Sequence, residues 1–401
     1  MGSELQPYKV LFLCSWYPNK VLPTNGNSAQ RHAEAIKRSN NLVALHICSG
    51  PFLKDETYQI DTYTRQDVFT IIVYYKKPSL FPLSGLIRGY RYLKACYKGL
   101  AIAEEKLGGI DIVHHNVIYP GGILAWLLKV RRNIPYLITE RWSGYLPANE
   151  RYFQGFFRRF MTRKIANNAS LMAPVSADLK NALKDYHKFD TKYKVIPNVA
   201  DIELFQSTSN GEVARSDKKQ ILHISTLDPR FKNGPGMMRA IKRVSEVRQD
   251  FEFQIVCDGE VEPHVAYAKE LGLLDKFCFF HGPKNIEEIS EAMHKADFFV
   301  LFSTSENFPC VLVESLATGL PFIATKVGGI PEMYSEDFGF MIESKDEDAL
   351  YDSIVKMLDT HQDYDKENMR KYAREHFSYD EVGRQYHQIY KEILEDHIEV
   401  A

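Results

Sequence analysis

Short apolar runs alternate with helix-length segments through almost the whole of this 401-residue chain. Segments such as AQRHAEAIKRS and GGILAWLLKVRRN separate runs that are rich in β-branched and aromatic residues. In the first half, the runs that we interpret as strands are KVLFLCS (9–15), LVALHIC (42–48), TIIVYY (70–75), DIVHH (111–115), PYLIT (135–139), LMAPVS (171–176) and KVIP (194–197). This alternation is typical of β-α-β units, so it predicts an α/β fold with a parallel sheet covered by helices on both faces.

A polar segment at 207–220 interrupts the alternation, and a second series of apolar runs follows it: QILHIS, FQIVCDG, FCFFHG, DFFVLFS, PFIAT and GFMIE. A chain of this length exceeds one typical domain. The pattern therefore predicts two doubly wound, Rossmann-like domains that face a cleft, the first at 1–205 and the second at 206–375. The last stretch, 376–401, has the periodicity of an amphipathic helix. This helix could cap either domain, and we expect it to pack back on the first.

Charge and cysteine usage narrow the class of protein. The net charge is −2 and the sequence pI is about 6.7, which argues against a nucleic-acid partner. The six cysteines form no C-x-x-C pair and have no histidine at zinc spacing, so we expect reduced thiols in a cytoplasmic protein. The N-terminal residues lack the basic lead of a secretion signal, and no apolar run approaches the roughly 20 residues that span a bilayer.

The segment SENFPCVLVESLATGLP (305–321) places Glu306 and Glu314 around the start of a predicted helix at about 309–318. Pro309 suits the first helical position and Gly319 the position after the last turn. Helix N-termini that follow strands of a parallel sheet attract anions, and the Glu314 side chain tilts back toward this one. Two carboxylates beside an anion site suit a ligand with both phosphate and hydroxyl groups, such as a nucleotide sugar. The alternative is a helix-dipole role for Glu306 and a solvated helix position for Glu314.

The longer segment SENFPCVLVESLATGLPFIATKVGGIPEM resembles the signature of the retaining glycosyltransferases of family 4, which have the two-domain GT-B fold. The matching positions, in order, are Glu306, Glu314, Gly319, Pro321, Gly328, Gly329, Pro331 and Glu332. The resemblance implies that Glu314 binds the donor ribose and that Glu306 lies against the donor sugar. It also implies contacts to the sugar and phosphates from main-chain groups of Asn307, Phe308 and Cys310. These residues, with the further donor-binding candidates Pro309 and Val311, form the helix mouth.

Other segments extend the resemblance to the donor phosphates. HISTLDPRFKNGPGM contains Lys232, which matches the family lysine, whereas Ser225 and Thr226 stand where Gly-Arg is common, so that Arg230 is a candidate substitute. A cationic loop of this kind would neutralise a departing diphosphate, and a solvated charge pair is the alternative. The remaining candidates for donor binding are Gly26, Asn27, Gly259, Gly282 and Pro283. Asn27 departs from the Gly-Gly that is common in the family.

Polar residues at two predicted strand ends are the candidates on the acceptor side. DIVHHN places His115 at one end, and LITERWSGY places Glu140 and Arg141 at another. The carboxyl ends of parallel strands meet at one edge of a sheet, where ligands bind. Many members of the family carry a histidine near the position of Arg141, and its absence leaves these three residues as alternatives.

The stretch RYFQGFFRRFMTRK (151–164) contains five basic residues, no acidic residue and four phenylalanines. It could rest on an anionic membrane or hold a lipid-linked acceptor, and the alternative is a packed helix with a solvated basic face. The stretch at 76–99 raises the same question. No metal or cofactor is expected, because the acidic run at 346–348 is explained by helix capping.

The family resemblance thus implies a metal-independent, retaining hexosyltransferase, which we expect to act in bacterial surface polysaccharide synthesis, such as that of lipopolysaccharide or capsule. Its donor is a nucleotide diphosphate sugar and its acceptor a glycan or a lipid-linked molecule, with peripheral contact at the inner face of the membrane. The predicted catalytic residues are Glu306, Lys232, Arg230, Arg141 and His115. The alternatives are a nucleotide-sugar epimerase or hydrolase of the same fold and a non-catalytic binding subunit.

Overall fold

The computed structural model describes residues 6–78, 84–207 and 217–400. Much of the polar segment at 207–220, and part of the stretch at 76–99, therefore lie outside the described residues. The chain divides into two units. The first unit comprises Met1–Val199 and Tyr379–Ala401, and the second comprises Ala200–Ser378.

The first unit is built on a seven-stranded sheet. Its strands are β1 (Lys9–Cys14), β2 (Asn41–Ser49), β3 (Tyr58–Arg65), β4 (Val68–Tyr75), β5 (Ile112–Asn116), β6 (Tyr136–Glu140) and β7 (Leu171–Pro174). The strand order is β3-β4-β2-β1-β5-β6-β7, and every pairing is parallel except β3 with β4. Helices connect the strands: α1 (Asn27–Lys37), α2 (Ser84–Leu107), α3 (Gly122–Arg132), α4 (Phe156–Asn167) and α5 (Ala177–Asn181). Short 3-10 helices at Ser143–Tyr145 and Pro147–Tyr152 and a π-helical turn at Ala182–Tyr186 complete this part of the chain.

In this unit the sequence missed one strand, and one predicted strand is wrong. β3 was not predicted, because most of its side chains are partly or fully exposed at the edge of the sheet and it therefore lacks an apolar run. The run at 194–197 is not a strand. Only Tyr193 next to it forms an isolated bridge, to Met172, although the Ile196 amide donates to the Pro174 carbonyl. Pro197 has no amide hydrogen with which to extend such a ladder.

The second unit contains a six-stranded sheet in which all pairings are parallel, as predicted. Its strands are β8 (Lys219–Ser225), β9 (Phe251–Cys257), β10 (Cys278–His281), β11 (Phe298–Leu301), β12 (Phe322–Thr325) and β13 (Gly339–Ile342), in the order β10-β9-β8-β11-β12-β13. Its helices are α6 (Ile202–Gln206), α7 (Gly234–Val247), α8 (Glu262–Glu270), α9 (Ile286–Lys295), α10 (Cys310–Thr318), α11 (Ile330–Met333), α12 (Glu347–Thr360) and α13 (Lys366–Phe377). Two short 3-10 helices lie at Glu336–Phe338 and His361–Asp363.

The last helix, α14 (Tyr379–Val400), belongs to the first unit and packs on α1. Gly383 permits the close approach, because a Cβ atom there would lie 2.3 Å from the Ala35 carbonyl oxygen. The buried face of α14 contains Val382, Tyr386, Ile389, Tyr390 and Ile393. These side chains share one core cluster with residues of β1, β2, β5 and α1.

Buried hydrogen bonds also join α14 to the sheet. The Tyr390 hydroxyl lies 2.6 Å from Nδ1 of His114 on β5, and the Tyr386 hydroxyl lies 2.8 Å from Oγ1 of Thr139 on β6. All four side chains are buried, so each bond replaces one that water would otherwise supply. The first unit is therefore assembled from two segments that are distant in sequence.

Among the helices of the described ranges, none combines the length and the apolar character that crossing a membrane requires. In the same ranges, no three His, Cys, Asp or Glu side chains are grouped so that they could hold a metal ion.

Candidate active site

Two loops meet at the carboxyl edge of the sheet in the second unit. One follows β8 and the other follows β11, and these strands are neighbours. The loops are joined by an antiparallel bridge between Lys232 and Ser303 and by a hydrogen bond of 2.7 Å from the Thr304 amide to the Phe231 carbonyl. Because β8 and β11 run in parallel, their loops leave the sheet at the same edge and can place side chains together.

An ion pair between Lys232 and Glu306 lies where these loops meet. The lysine side chain is 17% exposed and the glutamate side chain 10%. The Ser303 hydroxyl also donates to Oε1 of Glu306, at 2.7 Å. A shielded ion pair is stable only when its remaining hydrogen-bonding capacity is met, and Ser303 meets part of it. The structure therefore brings together Lys232 and Glu306, which are 74 residues apart in sequence.

Helix α10 begins beside this ion pair. Pro309 is its N-cap residue rather than its first helical residue, and Gly319 ends it in the left-handed conformation with φ 75°. The predicted helix is thus confirmed, one residue shorter at its N-terminus. Proline has no side-chain acceptor, so Pro309 cannot cap the first turn. A helix N-terminus of this kind carries partial positive charge that favours an anion.

Glu314 is 2% exposed in the second turn of α10. The alternative in which it is a solvated helix residue is therefore wrong. Of the other helix-mouth candidates, Phe308 and Pro309 are buried, while Asn307, Cys310 and Val311 are half-buried. Any ligand contacts from Phe308 and Pro309 would accordingly come mainly from their main-chain atoms.

The Gly-Gly turn after β12 packs against the backbone of the loop that contains Glu306. Gly328 has φ 55°, and a Cβ atom there would lie 1.7 Å from the Glu306 carbonyl oxygen. The Gly329 amide donates to the Asn307 carbonyl at 2.7 Å. The glycine at 328 is thus explained by close approach to protein backbone. The motif that contains Gly328 and Gly329 did not by itself indicate this contact between the two loops.

Arg230 forms an ion pair with its neighbour Asp228. Its Nε atom lies 2.8 Å and 3.0 Å from the two Asp228 carboxylate oxygens, and the arginine side chain is 53% exposed. Hydrogen bonding from Arg230 lowers the pKa of Asp228. Lys232 contributes to this lowering as well, so both cations of the loop act on the Asp228 carboxylate.

The other donor candidates of the second unit lie at the ends of β9 and β10. Gly259 lines a cavity of about 360 Å³ together with Glu260 and residues 226–230. A Cβ atom at Gly259 would lie 2.1 Å from the Thr226 carbonyl oxygen, so only glycine fits there. Gly282 and Pro283 follow the edge strand β10 and are exposed.

In the first unit, the ends of β5 and β6 lie side by side, as predicted. Glu140 is fully buried and accepts hydrogen bonds from the backbone amides of Ile118 at 2.9 Å, Arg141 at 2.8 Å and Trp142 at 2.8 Å. Burial raises the pKa of Glu140 to about 7, even though these three bonds favour the carboxylate and act in the opposite direction. Arg141 donates to Oδ1 of the buried Asn116 at 3.0 Å.

His115 lies beneath the loop that follows β5. It is fully buried, and Cβ atoms on Gly121 or Gly122 would lie 2.6 Å or 3.1 Å from its ring. Burial lowers the pKa of His115 to about 4, so the imidazole is neutral at physiological pH. These contacts favour a packing role for His115.

The same loop contains a backbone feature that sequence reasoning missed. Val117 has φ 64°, a conformation that is strained for a β-branched residue. The Ser15 hydroxyl donates to the Val117 carbonyl at 2.7 Å and accepts from the Gly121 amide at 3.1 Å. Ser15 directly follows β1, and this position was the sequence signal for a polar contact at the carboxyl edge of the sheet.

Gly26 and Asn27 lie at the start of α1. Gly26 is the N-cap residue with φ 79°, and a Cβ atom there would lie 2.5 Å from the Trp16 carbonyl carbon. The long loop after β1 therefore closes on its own backbone at Gly26. Asn27 is the first residue of the helix.

Comparisons with known proteins agree with this geometry. The family description "Glycosyl transferases group 1" matches residues 205–376, and "Glycosyltransferase Family 4" matches residues 29–204. An uncharacterized glycosyltransferase of Methanocaldococcus jannaschii is 28% identical over 314 residues, which cover 76% of this chain and 81% of that protein. D-inositol 3-phosphate glycosyltransferase of Corynebacterium efficiens is 25% identical over 324 residues, 74% of this chain and 75% of that protein.

Solved structures show the same architecture. Sucrose-phosphate synthase from Thermosynechococcus elongatus superposes with a TM-score of 0.76 at 18% identity, covering 96% of this chain and 99% of that one. Anabaena HepE in complex with UDP and glucose superposes with a TM-score of 0.71 at 18% identity, with the same coverage of both chains.

Two Rossmann-like units of this kind, with polar groups at their strand ends, define a GT-B glycosyltransferase. The two family descriptions together span residues 29–376, and the chain belongs to glycosyltransferase family 4.

Proposed function

We propose that this glycosyltransferase moves a hexose from a nucleotide diphosphate sugar to a glycan or a lipid-linked acceptor, with retention of the anomeric configuration and without a metal ion. The observation that supports this proposal best is the Lys232–Glu306 ion pair beside the N-terminus of α10. A cation and a helix N-terminus suit the diphosphate. The carboxylates of Glu306 and Glu314 suit the hydroxyl groups of the sugar and the ribose.

Bond changes at the donor carbon define the proposed step. The bond from C1 to the diphosphate oxygen breaks while the acceptor oxygen bonds to C1 on the same face. The acceptor proton passes to the departing diphosphate. Lys232 and the first turn of α10 would stabilise the negative charge that develops on the leaving group. Glu306 keeps Lys232 in place before the donor binds, and Lys232 would then be shared with a phosphate oxygen.

One relative supports a role in bacterial surface polysaccharide synthesis. A Bacillus subtilis glycosyltransferase provisionally named for teichuronic acid biosynthesis is 23% identical over 360 residues, 87% of this chain and 88% of that protein. Another relative, N-acetyl-alpha-D-glucosaminyl L-malate synthase of Bacillus anthracis, is 25% identical over 308 residues and is named for a small product instead. We propose that this chain acts in the cytoplasm, at the inner face of the membrane, through residues 151–164.

A panel of UDP-, GDP- and other nucleotide sugars tests the proposal by thermal shift and by hydrolysis without acceptor. Stabilisation by at least one nucleotide sugar is expected, and the absence of binding by every member would refute the proposal. Binding with turnover only in the presence of acceptor supports the transferase. Conversion of the donor without acceptor favours the epimerase or hydrolase, and binding without any turnover favours the binding subunit.

The substitution Glu314→Ala tests the ribose contact. We expect nucleotide affinity to fall by roughly tenfold or more, because a hydrogen bond to a charged group contributes about 1.5 to 3 kcal/mol. Isothermal titration with the nucleotide that the panel identifies measures the change. Glu246→Ala on the exposed face of α7 is the matched control and should leave the affinity unchanged. Equal affinity in the Glu314 variant and the wild type would remove the proposed ribose role.

A further inference from the structure

Helix α4 presents three phenylalanines to solvent. Phe156 is 88% exposed, Phe157 64% and Phe160 56%. The rings of Phe156 and Phe160 stack with their centroids 6.5 Å apart and an interplanar angle of 15°. The opposite face of the helix is buried through Thr162, Ile165 and Ala166. Because exposed aromatic clusters are unusual on soluble proteins, this aromatic face of α4 indicates an interaction surface.

The basic residues of this segment fall into two groups. Arg158 and Arg159 turn toward the protein: the Arg158 guanidinium lies 4.5 Å from the Trp142 ring centroid, and Arg159 forms an ion pair of 3.0 Å with Glu150. Arg163 and Lys164 are exposed on the C-terminal half of α4, where one guanidinium nitrogen of Arg163 also donates to the His187 carbonyl at 3.1 Å. The charge of this segment is therefore partly used for contacts within the protein.

The exposed part of α4 combines aromatic rings with positive charge and lacks negative charge. Between Glu150 and Asp178 the chain contains no acidic residue. An anionic membrane offers the complementary arrangement, because an apolar layer lies directly beneath negatively charged headgroups. A protein partner would have to supply both an apolar groove and acidic groups at this spacing.

We propose that the aromatic face of α4 inserts into the interface of an anionic membrane, with Phe156, Phe157 and Phe160 among the acyl chains and Arg163 and Lys164 at the headgroup phosphates. This inference names the partner for the membrane contact within the proposed function, on which its biological meaning rests. The binding itself is measurable without any sugar transfer.

Flotation of the purified full chain with vesicles tests the inference. We compare mixed phosphatidylcholine–phosphatidylglycerol vesicles with pure phosphatidylcholine vesicles at low and high salt. The variant Phe156→Ser/Phe157→Ser/Phe160→Ser should lose at least roughly tenfold in binding to the mixed vesicles, because insertion of apolar side chains supplies most of such an affinity. The variant Arg163→Gln/Lys164→Gln should lose the preference for anionic vesicles. Val247→Ser and Ile398→Ser alter other exposed apolar side chains and should bind as the wild type does.

Three outcomes would overturn the inference: no flotation of the wild type with either kind of vesicle, equal flotation of the wild type and the triple serine variant, or self-association that the triple variant abolishes without any vesicle binding. The last result, from analytical ultracentrifugation, would assign the face to a second copy of the chain. Nucleotide binding by the triple variant is measured in parallel. Its residues lie outside the second unit, so loss of vesicle binding with nucleotide binding retained separates this inference from the proposed donor site.

Discussion

Glu140 and Glu306 both lie at the carboxyl edge of a parallel sheet, but the surrounding atoms give them different roles. Glu306 is paired with a lysine and retains 10% exposure. Glu140 is fully buried and is surrounded by three backbone amides. A carboxylate in such a position fixes the backbone around it, so Glu140 orients residues 118 and 141–142 at the ends of β5 and β6. We therefore interpret Glu140 as a positioning residue rather than a catalytic one.

The raised pKa of Glu140 predicts a specific dependence of stability on pH. The folded chain prefers the protonated form, with a pKa of about 7 against an ordinary 4.5. The stabilisation is therefore fully present below pH 4.5 and is lost as the pH rises through 7. It amounts to on the order of 3 kcal/mol at most. Urea unfolding of the wild type between pH 5 and 8, observed with a signal that reports on the first unit, measures this dependence.

The variant Glu140→Gln provides the comparison. The amide of this variant cannot ionise. The free energy of unfolding should therefore fall less steeply between pH 5 and 8, by a slope that corresponds to at most about one bound proton. The amide group would also face a backbone N–H, which should cost about 1 to 3 kcal/mol at every pH. Parallel pH curves for the variant and the wild type would contradict the assignment.

Side-chain roles at this scale were only partly predictable from the sequence. Lys232 and Glu306 were both identified, because each lies in the loop directly after a buried strand and matches a family motif. The surroundings of Arg230 and His115 were not predictable. Asp228 engages the arginine, and the glycines at 121 and 122 close over the histidine. Contacts of this kind depend on loop conformations that apolar periodicity does not specify.

At the scale of secondary-structure elements, the strands of the second unit were predicted well. β11 (FFVL) and β12 (FIAT) are short runs buried throughout, as the centre of a parallel sheet requires, and β8 and β9 each contain a buried apolar stretch. That requirement does not apply to the edge strand β3, which is partly or fully exposed, and its sequence YQIDTYTR is mostly polar. The prediction therefore succeeded where burial imposes composition and failed where it does not.

The contact between the turn after β12 and the loop after β11 can be tested with Gly328→Ala. A Cβ atom cannot lie 1.7 Å from the Glu306 carbonyl oxygen, and φ 55° is unfavourable for alanine. We expect the second unit to lose more than about 2 kcal/mol in its free energy of unfolding. Nucleotide affinity should fall as well, because the Glu306 loop must move.

Gly89→Ala is the control for this substitution. Gly89 lies in α2, and a Cβ atom there would meet no atom within 4 Å. Alanine should be neutral or slightly stabilising at that helical position. Unchanged stability and nucleotide affinity in Gly328→Ala, measured beside this control, would show that the close approach of the two loops is not required.

At the scale of the whole molecule, the first unit is discontinuous in sequence. Its sheet comes from residues before Val199, whereas α14 comes from the last residues of the chain. The amphipathic pattern predicted the helix, but no local signal states which sheet an amphipathic helix covers. That choice depends on tertiary contacts such as Gly383 against Ala35 and the Tyr390–His114 hydrogen bond.

Deletion of residues 379–401 should therefore destabilise the first unit selectively. The deletion removes a helix whose buried face contributes to the core formed by β1, β2, β5 and α1. It also leaves the buried His114 and Thr139 without their tyrosine partners. Each lost hydrogen bond and each newly exposed apolar side chain costs on the order of 1 to 3 kcal/mol, which together exceeds the stability of many domains.

Hydrogen exchange followed by mass spectrometry assigns the loss to a unit. Amides of β1, β5 and α1 should lose protection in the deletion variant, whereas amides of β8 to β12 should keep it, because the core of the second unit is formed without α14. The double variant Tyr386→Phe/Tyr390→Phe separates the hydrogen bonds from the packing and should reduce protection less. Retained protection of β1 and β5 after the deletion, or equal losses in both sheets, would contradict the view that α14 is an integral part of the first unit alone.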